Sequence, residues 1–376
     1  MVSRIFKMSD DGKQLLDGLI AGNSNNAGYL DIIGGYITHP FRTSEANKIF
    51  KHNNYYYFFF IEVRNSDGFQ LRIPVILRSK NIYGPYELKE ILHSQGTDKD
   101  FEPNQGSIVD TPDGIDWYFV THHGTGHFSG RFLSILSMKW VNDWPVIGID
   151  NDNDGVGEMV WKQRMPNLSN SNIKMQTTDY FTDSVLGVQW QWNHQPRADK
   201  WSLTEHPGCL RLYAFKPLQE KDFFKAGNTI GQRYYRCENS KATVKIEVAG
   251  MANGQDAGLS QYDGGKNFSY LGLVMIDGIK KLIYKQKEDN NPIYESIGIV
   301  LSKKVKEIFF RLNADFQGKC SFQYSIDGKK FIAFGETSQL TWANYRGTRL
   351  GIYNYNNLQE AGFVDVDWFE YQLVNK

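Results

Sequence analysis

The sequence is poor in cysteine and in net charge, and no long apolar run interrupts it. Only three cysteines, Cys209, Cys237 and Cys320, occur in 376 residues. So odd and widely spaced a set specifies neither a disulfide framework nor a zinc site, and ordinary buried thiols are expected. Lys and Arg number 42, as do Asp and Glu, and the formal charge is zero. Phosphate backbones are gripped by an excess of cations, so a nucleic-acid partner is excluded. The densest apolar stretch, residues 55–61, falls far short of the roughly 18 residues of a membrane helix, which excludes a membrane partner of that kind. The opening residues 1–12 lack the apolar core of a secretory signal. That end carries no address, and the compartment stays open, with a secreted or periplasmic place compatible.

What the chain has instead is aromatic residues and glycine: 21 Tyr, 24 Phe, 9 Trp and 35 Gly. Aromatic strands punctuated by glycine turns describe β-sheet better than helix, so an all-β protein is expected. Its length gives a prior of two to three domains, each able to bury a core unaided. Sugar C–H faces stack on such rings, although a sheet core uses them too.

Two segments align, residues 48–59 and 107–120, each a short apolar strand, a polar turn and an aromatic strand. A third strand and a turn follow each hairpin. The spacing from Ile49 to Ile108, a period of about 59 residues, predicts blades of a β-propeller. Residues 5–16 resemble the second half of such a blade, residues 76–88, so the chain is expected to open inside a repeat. Residues 1–170 would then hold about two and a half blades, fewer than the four a closed propeller needs. Near residues 166–172 the texture turns polar, as in a linker. From 177 to 376 longer strands alternate apolar and polar residues, as in 242–248 and 308–314, and Asp327-Gly328 marks a hairpin turn. This second domain is expected to be a jelly-roll, concanavalin-like sandwich.

With these motifs in view, the whole chain resembles glycoside hydrolase family 43, the five-bladed propeller β-xylosidases and α-L-arabinofuranosidases with a C-terminal sandwich. In the propeller part the resemblance rests on Ser44-Glu45-Ala46-Asn47, on residues 104–114, and on Gly130-Arg131 followed by 140–148. In the sandwich it rests on residues 191–196, 201–208, 210–213, Ala257-Gly258-Leu259 and 365–371. The resemblance implies hydrolysis of xylo- or arabino-oligosaccharides from plant cell walls, with inversion and without a required cofactor. An inverting pair needs one carboxylic acid at the leaving oxygen and one carboxylate that activates water across the ring.

By that resemblance Glu45 is the general acid, Arg131 holds two hydroxyls of the sugar beside the scissile bond, and Tyr345 of the sandwich offers an aromatic ring. Gln105 stands where many members place a histidine near a central hydrated ion, and an amide is a poorer ligand. The resemblance also puts the general base and the residue tuning the acid's pKa in earlier blades. The chain is therefore expected to be a C-terminal portion lacking that base, since Asp17 and Asp31 sit in no family motif. Unpaired blade edges would favour self-association. The rival reading is a non-catalytic carbohydrate-binding module, with the sandwich holding sugar.

Two other patterns invite a metal. His122, His123 and His127 look like a ligand cluster, but neighbours on a strand point to opposite faces. The run Asp150-Asn151-Asp152-Asn153-Asp154-Gly155 imitates the start of a calcium loop, but its twelfth position is Trp161 where a bidentate Glu is required. It reads as an acidic turn leaving the last blade, with calcium the one ion it suggests. Gly264-Gly265 does not open a helix, so no phosphate cradle is expected.

Overall fold

The computed structural model describes residues 4–6, 8–16, 29–31, 43–66, 69–93, 105–124, 127–162, 175–342 and 344–374. The expected linker at 166–172 and Asp17 lie outside these residues. The chain divides into two compact units, Met1–Thr125 with Arg131–Asn170, and Gly126–Gly130 with Ser171–Lys376.

In the first unit β1 (Arg4–Phe6) pairs antiparallel with β2 (Tyr29–Asp31). Two four-stranded antiparallel meanders follow. One is β3 (Thr43–His52), β4 (Tyr55–Ser66), β5 (Phe69–Ser79) and β6 (Glu87–Glu90). The other is β7 (Gly106–Asp110), β8 (Trp117–His123), β9 (Phe132–Val141) and β10 (Trp144–Ile147). In both, spatial order equals chain order, so the first strand, β3 or β7, is an edge.

The sequence explains why the two sheets are covered differently. Unbroken apolar strands belong to sheets buried on both faces, whereas alternation marks a sheet with one wet face. In β4, Tyr57, Phe59 and Ile61 enter one core while Phe58 and Phe60 enter another. In β9, Leu136 and Met138 are buried with the first set, but Leu133 and Ile135 are 76% and 37% exposed. Phe59 meets Phe119 at 5.4 Å between centroids, which joins the sheets face to face. The β9–β10 turn adds a polar lock. Asn142 and Asp143 both take positive φ, as a two-residue hairpin requires, and their carbonyls accept bonds from Arg78 Nη1 at 2.8 and 3.1 Å and, for Asp143, from Tyr57 Oη at 2.7 Å.

The second unit contains β11 (Gln191–Trp192), β12 (Trp201–Ser202), β13 (Leu210–Tyr213), β14 (Asn228–Arg233), β15 (Asn239–Glu247), β16 (Gln255–Tyr262), β17 (Phe268–Ile276) and β18 (Ile279–Lys287). It continues with β19 (Tyr294–Val300), β20 (Glu307–Asp315), β21 (Lys319–Ser325), β22 (Ile332–Ala333), β23 (Ser338–Gln339), β24 (Arg349–Asn356) and β25 (Phe363–Val374). One sheet runs β11-β14-β24-β16-β17-β18-β19, the other β12-β13-β25-β15-β20-β21-β22, with β23 also on β21. Their inner faces share one core, with Val244, Ile246, Phe310 and Val366 from one sheet and Leu259, Leu271, Leu282 and Ile352 from the other. The Asp327 turn joins β21 to β22, its carboxylate accepting from the N–H groups of Lys329 and Lys330. All three cysteines are buried and free.

Two features depart from the sequence reading. β17 alternates in sequence yet is buried over most of its length, because Phe223 covers its other face among Tyr262, Phe268, Tyr270 and Tyr353. Gly264-Gly265 accordingly connects two buried strands. The segment Gly126–Gly130, between β8 and β9 in sequence, belongs to the sandwich. Phe128 is 2% exposed in that core, its carbonyl accepts from Thr348 N at 2.7 Å, and Ser129 O accepts from Arg233.

Candidate active site

The expected acid sits on an irregular strand. β3 pairs regularly with β4 up to Glu45 opposite Ile61, then resumes with Lys48 opposite Phe59. The extra residue is a bulge, and Ala46 within it has φ 61°, a conformation that costs a non-glycine residue energy. Bulges redirect side chains, and this one sets Glu45 at the edge strand of its sheet. Glu45 Oε2 accepts a long hydrogen bond, 3.5 Å, from Gln105 Nε2 at the head of β7. Gln105 is fixed in turn, since its carbonyl accepts from Thr121 Oγ1 at 3.2 Å. Gly106 follows because the ring of Phe119 fills the space a Cβ would take, 2.2 Å away.

One residue beyond Thr121 stands His122, opposite Leu133 on β9, with Arg131 just before that strand. Burial, with the positive charges of Arg131, His123, Lys48 and Arg72, holds the His122 imidazole down at about 4. It is neutral at ordinary pH, and its buried Nδ1 has no hydrogen-bond partner among the described residues. Lys48, on the bulged strand, is also lowered by burial. Glu45 and Gln105 therefore form one pair and His122 and Arg131 another, linked through Thr121. Tyr345 belongs to the second unit, on the turn before β24, and is 60% exposed.

The sequence singled out His122 only within a three-histidine pattern and not as part of this set. His123 points elsewhere, its Nδ1 2.9 Å from Ser134 Oγ and its ring edge-on to Trp161. His127 lies in the other unit, and the three histidines form no ligand cluster among the described residues. Gln105 turns an amide N–H toward Glu45, as a hydrogen-bond donor and not as a metal ligand. In the 150–155 turn, Asp150 and Asp154 accept from the N–H groups of Gly155 and Val156. With His93, whose Nε2 is 3.3 Å from Asp154, the pair Asp152 and Asp154 could hold a cation.

Comparison with known proteins follows the same two parts. Residues 7–145 match the family described as glycosyl hydrolases family 43, and residues 178–372 match the beta xylosidase C-terminal concanavalin A-like domain. A beta-xylosidase of Formosa agariphila is 32% identical over 402 aligned positions, covering 98% of this chain and 63% of that protein. A non-reducing end alpha-L-arabinofuranosidase of Bacteroides ovatus is 25% identical, covering 80% and 58%. The chain thus spans about three fifths of the length of these relatives. The solved xylan beta-1,4-xylosidase of Bacillus halodurans shares the fold, with a TM-score of 0.76 at 20% identity over 98% of this chain and 70% of that one.

Proposed function

The chain belongs to glycoside hydrolase family 43, and from that premise we propose that it is the part of an inverting glycosidase that carries the general acid. Its substrates are xylo- and arabino-oligosaccharides of plant cell walls. Support comes from Glu45, set on its bulge within hydrogen-bond reach of Gln105, with His122 and Arg131 at the ends of the next strands. Relatives described as a beta-xylosidase and an alpha-L-arabinofuranosidase support the two pentoses.

In the proposed reaction Glu45 gives its proton to the glycosidic oxygen as the C–O bond breaks. Water adds to the opposite face of the sugar and loses a proton to a second carboxylate, about 6.5 to 9.5 Å from the acid. None of the other groups named here supplies that carboxylate: Gln105, His122, Arg131 and Lys48 all lack one. Arg131 holds sugar hydroxyls through its planar fork. His122, neutral above about pH 4, can bond a hydroxyl without adding positive charge beside an oxocarbenium-like transition state. The described chemistry needs no cofactor.

The test is Glu45→Gln in the intact enzyme. On substrates with poor leaving groups kcat should fall about 10²- to 10⁴-fold, and activated aryl glycosides should lose far less because they depart with little protonation. Equal losses on both would remove the assignment. The 376-residue chain alone should turn over aryl xyloside and arabinofuranoside at least about 100-fold more slowly than the chain supplied with the N-terminal half of a relative.

The binding-module alternative gains little from the sandwich. Its most aromatic sheet face, with Tyr262, Tyr270 and Tyr353, is covered by the Phe223 ring at 5.3 to 5.9 Å.

A further inference from the structure

On the outer face of the eight-stranded sheet, far in sequence from Glu45, three different donor types converge. The turn His206-Pro207-Gly208-Cys209 is closed by Cys209 N–H donating to the His206 carbonyl at 3.0 Å, with Gly208 at φ 83°. A closed turn with two intervening residues brings both side chains to one side, as paired ligands spaced by two residues do in structural zinc sites. Glu247, the last residue of β15, reaches the same place from a neighbouring strand. A ring nitrogen of His206, Cys209 Sγ and a Glu247 carboxylate oxygen lie within 4.8 Å of one another. Cys209 is 5% exposed, and neither its thiol nor the Glu247 carboxylate has a hydrogen-bond or ion-pair partner among the described residues.

The surroundings are those of a supported ligand. His206 Nδ1 lies 3.0 Å from Asp365 Oδ2, and a carboxylate can only accept, so in the neutral imidazole the proton sits on Nδ1 and the lone pair on Nε2. Asp365 stands between Arg211 and Glu247 in the strand register, and Arg211 clamps it with bonds of 2.7 and 2.8 Å. Arg211 is itself stacked over Phe363 at 4.3 Å. Metal-bound histidines commonly give their second N–H to such a carboxylate. A surface cavity of about 430 Å³ is lined by His206, Glu247 and Asp365, though not by the buried Cys209, and gives water access to the first two.

We infer that His206, Cys209 and Glu247 form a binding site for a borderline-soft divalent cation, zinc before calcium or magnesium, that ties the 206–209 turn to β15. A thiolate, an imidazole and one carboxylate suit zinc, whereas calcium and magnesium demand oxygen ligands. Bond lengths of about 2.0 to 2.3 Å need the three donors to close by roughly an ångström, within reach of an exposed turn. Binding displaces the Cys209 proton to solvent, so affinity should rise with pH.

The experiment titrates zinc into the chelator-treated full chain by calorimetry in two buffers of different ionisation enthalpy. One zinc per chain and a released proton are expected. Cys209→Ser and Glu247→Gln should each weaken binding at least about tenfold, while their melting temperatures without metal match the parent. Cobalt in place of zinc should give a thiolate-to-metal charge-transfer band that Cys209→Ser abolishes. Asp152→Asn, in the separate acidic turn, should leave all of this unchanged. The inference is overturned by absence of stoichiometric zinc, by binding that survives Cys209→Ser, or by binding that follows Asp152→Asn.

Discussion

In the blade unit, aromatic strands are buried between sheets of one repeated kind: Phe59 of the first meets Phe119 of the second, and the far face of the second leaves Leu133 at 76% exposure. The sandwich encloses its core between two unlike sheets, and even the further face of β17 is sealed by Phe223. Stacked repeats acquire burial only by adding neighbours, whereas a sandwich completes its core within itself. The candidate catalytic groups lie in the first kind of structure, at strand ends where edges and bulges are free to vary. The second kind closes its core within itself, and its one cluster of metal-type donors among the described residues sits on an outer face.

The division of the chain can be broken most sharply at Phe128, which sits between two blade strands in sequence but packs in the sandwich. Phe128→Ala should destabilise by about 3 to 5 kcal/mol, the range for truncating a buried ring. In scanning calorimetry the loss should fall on the sandwich transition, while Phe119→Ala takes a similar amount from the blade transition. If Phe128→Ala lowered the blade transition instead, the assignment of Gly126–Gly130 would fail.

A smaller effect distinguishes the units by pH. His122 titrates near 4 when folded against about 6.5 unfolded. Between those values the unfolded chain binds a proton that the native one does not, so stability of the blade unit falls as pH drops from about 6.5 to about 4 and is flat above. His122→Gln should flatten that slope and leave the sandwich unchanged; a slope that persists would assign it to another group.

The smallest effect on stability is expected at Leu133. Leu133→Lys should shift melting by no more than about 0.5 kcal/mol, as for other exposed positions. It should nonetheless reduce self-association in sedimentation velocity if the exposed apolar face of the second sheet, and not the unpaired blade edges expected from the sequence, is the surface involved. Unchanged association would move that surface elsewhere.

Much of this was legible in the chain. The 59-residue spacing of Ile49 and Ile108 located the hairpins β3–β4 and β7–β8, and Asp327-Gly328 located the β21–β22 turn. Glu45, Gln105 and Arg131 were named from motifs, and two of them, Glu45 and Gln105, meet in a hydrogen bond. His122 was seen only as one of three clustered histidines, since its neutrality comes from burial and from cations on other strands.

The sequence by itself determined the β class, the repeat and the sandwich strands, because side-chain period and turn chemistry are local properties written in neighbouring residues. Tertiary structure alone decided that 126–130 serves the sandwich, that Phe223 seals β17, that Glu45 faces Gln105 across two sheets, and that Glu247 joins His206 and Cys209. Each of these is a meeting of strands far apart in the chain, and the alternation of one strand records that a face is covered without recording by what.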